Sequence, residues 1–113
     1  MYVLFIVLNK LDYLDEILAK FVDLGVGGAT IVDSQGMAGA IVDSNNKVPI
    51  FGLLKSILDG SKPYNKTIFS VLESEEAVEK VVAAIRKILS KESPRGTGFM
   101  FTVPLGKVYR FHG

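Results

Sequence analysis

The sequence predicts an α+β domain of βαββαβ order, the split βαβ or ferredoxin-like arrangement. Two helices would cover one face of a four-stranded antiparallel sheet, with a long insert between the second and third strands. Three observations predict it: a continuous apolar run near the start, two segments with helical apolar spacing, and a duplication that relates the halves. In the duplication, FIVLNKLDYLDEILAKF from Phe5 aligns without a gap onto FSVLESEEAVEKVVAAI from Phe69. Phe, Val and Leu coincide in the strand part, and apolar positions coincide in the helical part.

YVLFIVL, residues 2–8, is apolar throughout and rich in strand-favouring types, which marks a buried strand. Leu14, Ile17, Leu18 and Phe21 then stand at i, i+3, i+4 and i+7, leaving Asp15, Glu16, Lys20 and Asp23 on the other side. Gly25 is a natural left-handed stop for this helix, and GATIVDS from Gly28 supplies the second strand. In the second half Ser74 is the expected N-cap, Glu75 and Glu76 suit the positive end of the helix, and Lys87 and Lys91 suit its negative end. Val78, Val81, Val82, Ile85, Ile88 and Leu89 make the buried stripe, and FMFTV and KVYRF provide further strand material.

The length of 113 residues fits one domain, 1–113, with the insert at about 36–65. Within the insert, SNNK reads as a hairpin tip, and FGLLKSILDG places Leu53, Leu54, Ile57 and Leu58 on one helical face. That face either packs on its own subunit or meets a protein partner. The formal charge of +1, with both signs interleaved, gives no field for a polyanion, so nucleic acid is not an expected partner. The absence of cysteine removes disulfide and thiolate chemistry. The opening apolar run is far short of the ~20 residues a membrane span needs and lacks a basic leader. No membrane insertion and a cytoplasmic location are expected, which would leave the sequon Asn65-Lys66-Thr67 without a role.

RGTGFMFTV, from Arg95 to Val103, admits three readings. Gly96 and Gly98 supply the positive φ needed to reverse from a helix onto a sheet, with Pro94 marking the boundary. The start of the stretch also looks like an RNA-recognition signature, but that signature belongs on the third strand and carries aromatics where Thr97 and Thr102 stand. The third reading is a phosphate cradle. A helix C-terminus repels anions, so basic side chains would have to reverse the local sign. Arg95 lies in the loop, while Arg110 and His112 would share one face of the last strand. Phe99 and Phe101 lie on one side of their strand and are expected in the core.

At these residues the whole chain resembles the PII signal-transduction family. GATIVDSQGMAG stands at the base of a long loop, and GTGFMFTVPLGKVYRF follows the second helix. Gly96 and Gly98 match the family's loop glycines, Pro104 its proline and Arg110 the first of its terminal arginines, with His112 in the second arginine's place. The resemblance implies a homotrimer binding adenine nucleotides in three inter-subunit clefts, with the insert contacting a target protein. Thr97 replaces the loop acid and Phe99 the phosphate-facing lysine. Met37, Ala38 and Gly39 stand where the T-loop base carries arginine and glutamine. Micromolar binding requires about 8 kcal/mol, and each hydrogen bond to a charged group contributes roughly 1.5–3 kcal/mol. Mg-ATP is therefore expected to bind weakly or not at all, and a smaller adenylate or another small anion is the expected effector. The ligand-binding set is Gly36, Met37, Ala38, Gly39, Arg95, Gly96, Thr97, Gly98, Arg110 and His112.

No enzyme is expected. One histidine without cysteine cannot close a zinc site in a subunit, and no metal site is assigned. Asp12, Asp15 and Glu16 read as a solvated helix face, and Ser34 and Ser90 lack a nearby base. The segment Asn9-Lys10-Leu11-Asp12 has no glycines to cradle phosphate, unlike acylphosphatases of this architecture. A structural or assembly module of the same fold, without sensing, is the alternative.

Overall fold

The computed structural model describes residues 1–37, 64–93 and 96–112. Ala38, Gly39, Arg95, Leu53, Leu54, Ile57 and Leu58, together with the expected hairpin tip and insert helix, lie outside the described residues. The elements are β1 (Tyr2–Leu8), a 3₁₀ turn (Leu11–Tyr13), α1 (Leu14–Asp23), β2 (Thr30–Gln35), β3 (Tyr64–Leu72), α2 (Glu75–Ile88) and β4 (Gly98–Pro104). The strands form one antiparallel sheet in the order β2-β3-β1-β4.

β1 is central because its run is apolar on both faces. Leu4, Ile6 and Leu8 point to one side and join Ile68 and Leu72 of β3 in the core. Both helices close that side, α1 through Ile17 and Phe21, α2 through Val78, Val81 and Ile85. Leu14, Val82, Ile88 and Leu89 pack around the same cluster from partly exposed positions.

The helix ends follow local chemistry. Gly25 adopts φ 77°, its N–H donates to the Val22 carbonyl, and the Val26 N–H reaches back to the Phe21 carbonyl. This pair of bonds is a Schellman motif, which satisfies carbonyls the helix would otherwise leave open. Ser74 caps α2 by accepting from the Ala77 N–H at 3.1 Å, and Glu75, Glu76, Arg86 and Lys87 complement the helix dipole. Lys91 falls beyond the helix.

The other face of the sheet carries no helix among the described residues. Across it run Val71, Val3 and Val103 in one row, and Thr30, Phe69, Phe5 and Phe101 in the next. A third row holds Val32, Thr67, Val7 and Phe99. Phe5 and Phe101 stack with centroids 4.9 Å apart, and Phe99 lies 6.0 Å from Phe101. Phe99 is 61% exposed and Phe101 43%, so the expectation of a core position is corrected for this chain on its own. One-sidedness was read correctly; the side chosen was the uncovered one.

A second correction concerns KVYRF, which forms no strand. The Leu105 N–H donates to the Met1 carbonyl at 2.9 Å, just past the last ladder pair, Tyr2 with Pro104. The antiparallel register sets Pro104 opposite Tyr2, the first residue of β1, so residues 107–111 run past the end of the strand they would pair with. Arg110 and His112 therefore do not share a strand face.

Truncating Ile17 or Ile85 to alanine is expected to lower stability by about 2–5 kcal/mol, because each is fully buried. Ser74→Ala is expected to cost about 1 kcal/mol. Urea unfolding monitored by circular dichroism measures both.

Candidate functional site

Antiparallel pairing gathers four chain segments at one end of the sheet: the exit of β1, the exit of β2 at Gly36, the entry of β3 and the entry of β4 at Gly98. A polar row crosses this end beneath the apolar rows. Ser34 Oγ donates to Asn65 Oδ1 and lies 2.8 Å from Thr67 Oγ1. Asn65 Nδ2 donates to Asn9 Oδ1 at 3.1 Å, and the Asn9 N–H donates to the Thr97 carbonyl at 2.9 Å. The row thus runs from β2, two residues before Gly36, to the glycine turn.

A brace holds the turn from the other side. The Tyr13 hydroxyl donates to Glu92 Oε1 at 2.9 Å, and Lys10 Nζ lies 3.9 Å from Glu92 Oε2. The hydrogen bond to Glu92, some desolvation and the nearby carboxylates hold the Tyr13 phenol above its ordinary range. Thr97 is buried, and its hydroxyl donates to the Ser93 carbonyl. That proton is engaged within the turn rather than offered to a ligand.

Both turn glycines have backbone reasons. Gly96 has φ 76° and Gly98 φ 137°. A Cβ on Gly98 would lie 2.1 Å from the Val7 carbonyl oxygen, so β4 can approach β1 this closely only without a side chain. Gly36 is different: the nearest group to a Cβ there is Asn65 Nδ2 at 3.6 Å, an ordinary contact.

Two hollows flank the sheet. One, of about 780 Å³, runs between α2 and β4 and ends at Thr97 and Gly98. Leu4, Ile6, Val78, Val82 and Met100 line it together with Glu75, Glu79, Glu92 and Arg86. Carboxylates outnumber the guanidinium there, so the described residues do not favour a phosphate in it. The other, of about 1050 Å³, lies at the opposite end of the sheet and is lined by Gly25–Thr30, Glu73, Glu76, Lys80 and Arg110. Lys80 pairs with Glu76 at 3.6 Å.

Of the sequence-predicted set, Gly36, Met37, Gly96, Thr97 and Gly98 thus meet at one end. Arg110 stands at the far end, in the exposed tail that His112 also occupies. The reading missed Ser34, Asn65 and Asn9. Their signal was polar residues placed at strand ends in otherwise apolar runs, and Asn65 drew attention only as a sequon. Its side chain is buried in β3, a position a glycan cannot occupy in the folded chain. Among the described residues no three or more metal-ligating side chains cluster, and no helix is long and apolar enough to cross a membrane.

No protein-family model matches the chain, and comparison with curated proteins finds no match.

Gly98→Ala is expected to cost more stability than Gly25→Ala, although both residues have positive φ. Strain alone is about 1–3 kcal/mol, and only Gly98 adds a clash with a backbone oxygen, whereas Gly25 faces open space. Parallel urea titrations test the order. For Tyr13, the folded chain favours the neutral phenol. The stabilisation is therefore fully present below pH ~10 and is lost as pH rises through the higher folded value. The stability difference between wild type and Tyr13→Phe should stay constant from pH 8 to about 9 and shrink above about 10.

Proposed function

We propose that the chain is a PII-like, trimeric regulatory protein of the ferredoxin-like fold. It binds a small anion, an adenylate first among them, in clefts between subunits and reports to a protein partner through the insert. The observation that carries the reading is the sheet face that no helix covers among the described residues. Val32, Val71, Phe99, Phe101 and Val103 are all exposed on one continuous surface around the Phe5–Phe101 stack. A patch of this kind on a small chain marks an association surface, and copies of the same chain are the occupants that the resemblance supplies.

The element order and the sheet order β2-β3-β1-β4 support the fold assignment. Gly36 and Gly96–Gly98, neighbours at one sheet end, support the place of the cleft. In this reading the guanidinium that reaches the glycine turn is Arg110 of another copy, because within one chain Arg110 stands at the opposite end. The chemistry is charge-assisted hydrogen bonding by that guanidinium and by loop amides, with no bond made or broken. A cytoplasmic setting accompanies the reading.

Two observations favour the alternative, an assembly module without sensing. The Thr97 hydroxyl is turned inward, and the Val7 contact alone accounts for Gly98.

Light scattering of the wild type and of Phe101→Glu, with thermal shifts against ATP, ADP, AMP and cyclic AMP, tests both. A trimer that Phe101→Glu dissociates is expected, with stabilisation by ADP or AMP exceeding that by Mg-ATP and disappearing in Arg110→Ala. A trimer indifferent to all four leaves the assembly module, and a monomer overturns both.

A further inference from the structure

We propose that Asn65 is a positioning residue that couples the exit of β2 at Gly36 to the glycine turn at Gly96–Gly98, so that a change at either end of the polar row is felt at the other. The proposal builds on the reading above for its purpose, but its physical content is a property of the chain without any ligand.

The row is a relay with defined donors and acceptors. The Asn65 carboxamide accepts from Ser34 Oγ through its oxygen and donates to Asn9 Oδ1 through its nitrogen, so one planar group fixes both neighbours. Asn9 then holds the turn by its own N–H on the Thr97 carbonyl. Asn65 is only 7% exposed, and every buried side-chain polar atom among the described residues has a partner. A buried carboxamide paired through both its oxygen and its nitrogen cannot rotate to follow one neighbour without breaking its bond to the other, and an unmade buried bond costs about 1–3 kcal/mol. Motion of Ser34 must therefore either stop at Asn65 at that cost or carry Asn9 and the turn with it. A hydrophobic side chain would give neither choice, since apolar contacts slide without a preferred direction. Thr67 Oγ1 lies 2.8 Å from Ser34 Oγ on the neighbouring strand, and Ser34 Oγ also reaches the Asn65 backbone carbonyl at 3.4 Å, so both of its other contacts lie on β3.

Adding a merely local structural role for Asn65 predicts something different. Loss of the carboxamide would then lower stability without making the turn sensitive to Ser34. The distinguishing readout is the amide ¹H–¹⁵N spectrum of the whole unliganded chain. Ser34→Ala should shift the Asn9, Thr97 and Gly98 signals, whereas Ser34→Thr, which keeps the hydroxyl, should leave them near wild type. In an Asn65→Ala background the Ser34→Ala change should no longer reach Thr97 or Gly98. Ser70→Ala is the control: Ser70 is equally buried on β3 but bonds the Gly28 carbonyl at the other sheet end. Its signals at Thr97 and Gly98 should not move.

Shifts confined to β2 and β3 in Ser34→Ala, or equal shifts with and without Asn65, overturn the coupling. A second arm uses ADP. If ADP binds the wild type, Asn65→Ala should weaken it about five-fold or more, the lower range of coupling between sites, and Ser70→Ala should not. If ADP binds and both variants bind it equally, the coupling has no bearing on the site and the proposal falls while the sensing reading stands. If ADP fails to bind at all, the sensing reading loses its leading ligand, and the spectra still decide the coupling.

Discussion

β1 has two apolar faces, and everything else in the molecule follows from covering them. Leu4, Ile6 and Leu8 are covered by α1 and α2, whose buried residues form one cluster with them. Val3, Phe5 and Val7 face the other way, where among the described residues their shelter comes from cross-strand neighbours such as Phe69 and Phe101. Burying a phenylalanine relative to leaving it exposed is worth roughly 1.5–3 kcal/mol. The uncovered rows therefore carry a free-energy reserve that a second copy or a partner could release. A sheet solvated on one face ordinarily alternates apolar and polar residues; β1 does not, and its sequence is that of a strand meant for burial on both sides.

That same strand explains how far the fold was legible. Duplication was visible because each half repeats a strand and an amphipathic helix. The register then sets Phe5 directly opposite Phe69, its own counterpart in the repeat. A residue paired with its counterpart lies on the pseudo-twofold axis relating the halves, so the pattern in the sequence is also the geometry of the sheet centre. Caps at Gly25 and Ser74 were legible because they rest on backbone chemistry within a few residues. Two things were not. Periodicity tells that Phe99 and Phe101 share a side but not which side, since that depends on where the helices land. KVYRF has strand composition, yet composition cannot supply a neighbouring strand, and the register carries this segment past the first residue of β1.

The glycine turn shows why a motif needs its surroundings. Arg-Gly-Thr-Gly invites a phosphate, but two of its features have sufficient causes inside the chain. Gly98 is required by the Val7 carbonyl, and the Thr97 hydroxyl is held by Ser93. The residues that organise this end, Ser34, Asn65 and Asn9, carry no motif that points to this role. Their importance comes from lying at matching positions in β2, in β3 and just past the end of β1, segments far apart in sequence, and only the register brings that out. Polar residues at strand ends are common, so nothing in the chain alone separated these from ordinary loop polarity.

Within one chain Arg110 and the turn are kept apart. Arg110 leaves the sheet at the end where β1 begins, and Gly96–Gly98 enter it at the end where β1 finishes. The described lining of the hollow beside the turn is net acidic, which raises the cost of placing an anion there without help. An anion site built on this turn therefore needs a cation beyond that lining, from Lys10 beside Glu92, from Lys66 at the entry of β3, from Arg95 next to Gly96 in the sequence, or from another molecule. If it comes from another molecule, assembly and sensing are a single question: the face that Phe5, Phe99 and Phe101 leave open would set the geometry in which one chain's guanidinium meets another chain's loop. Closing the apolar face would then be the step that completes the site, and a variant that stays monomeric would lose the ligand even with every site residue intact.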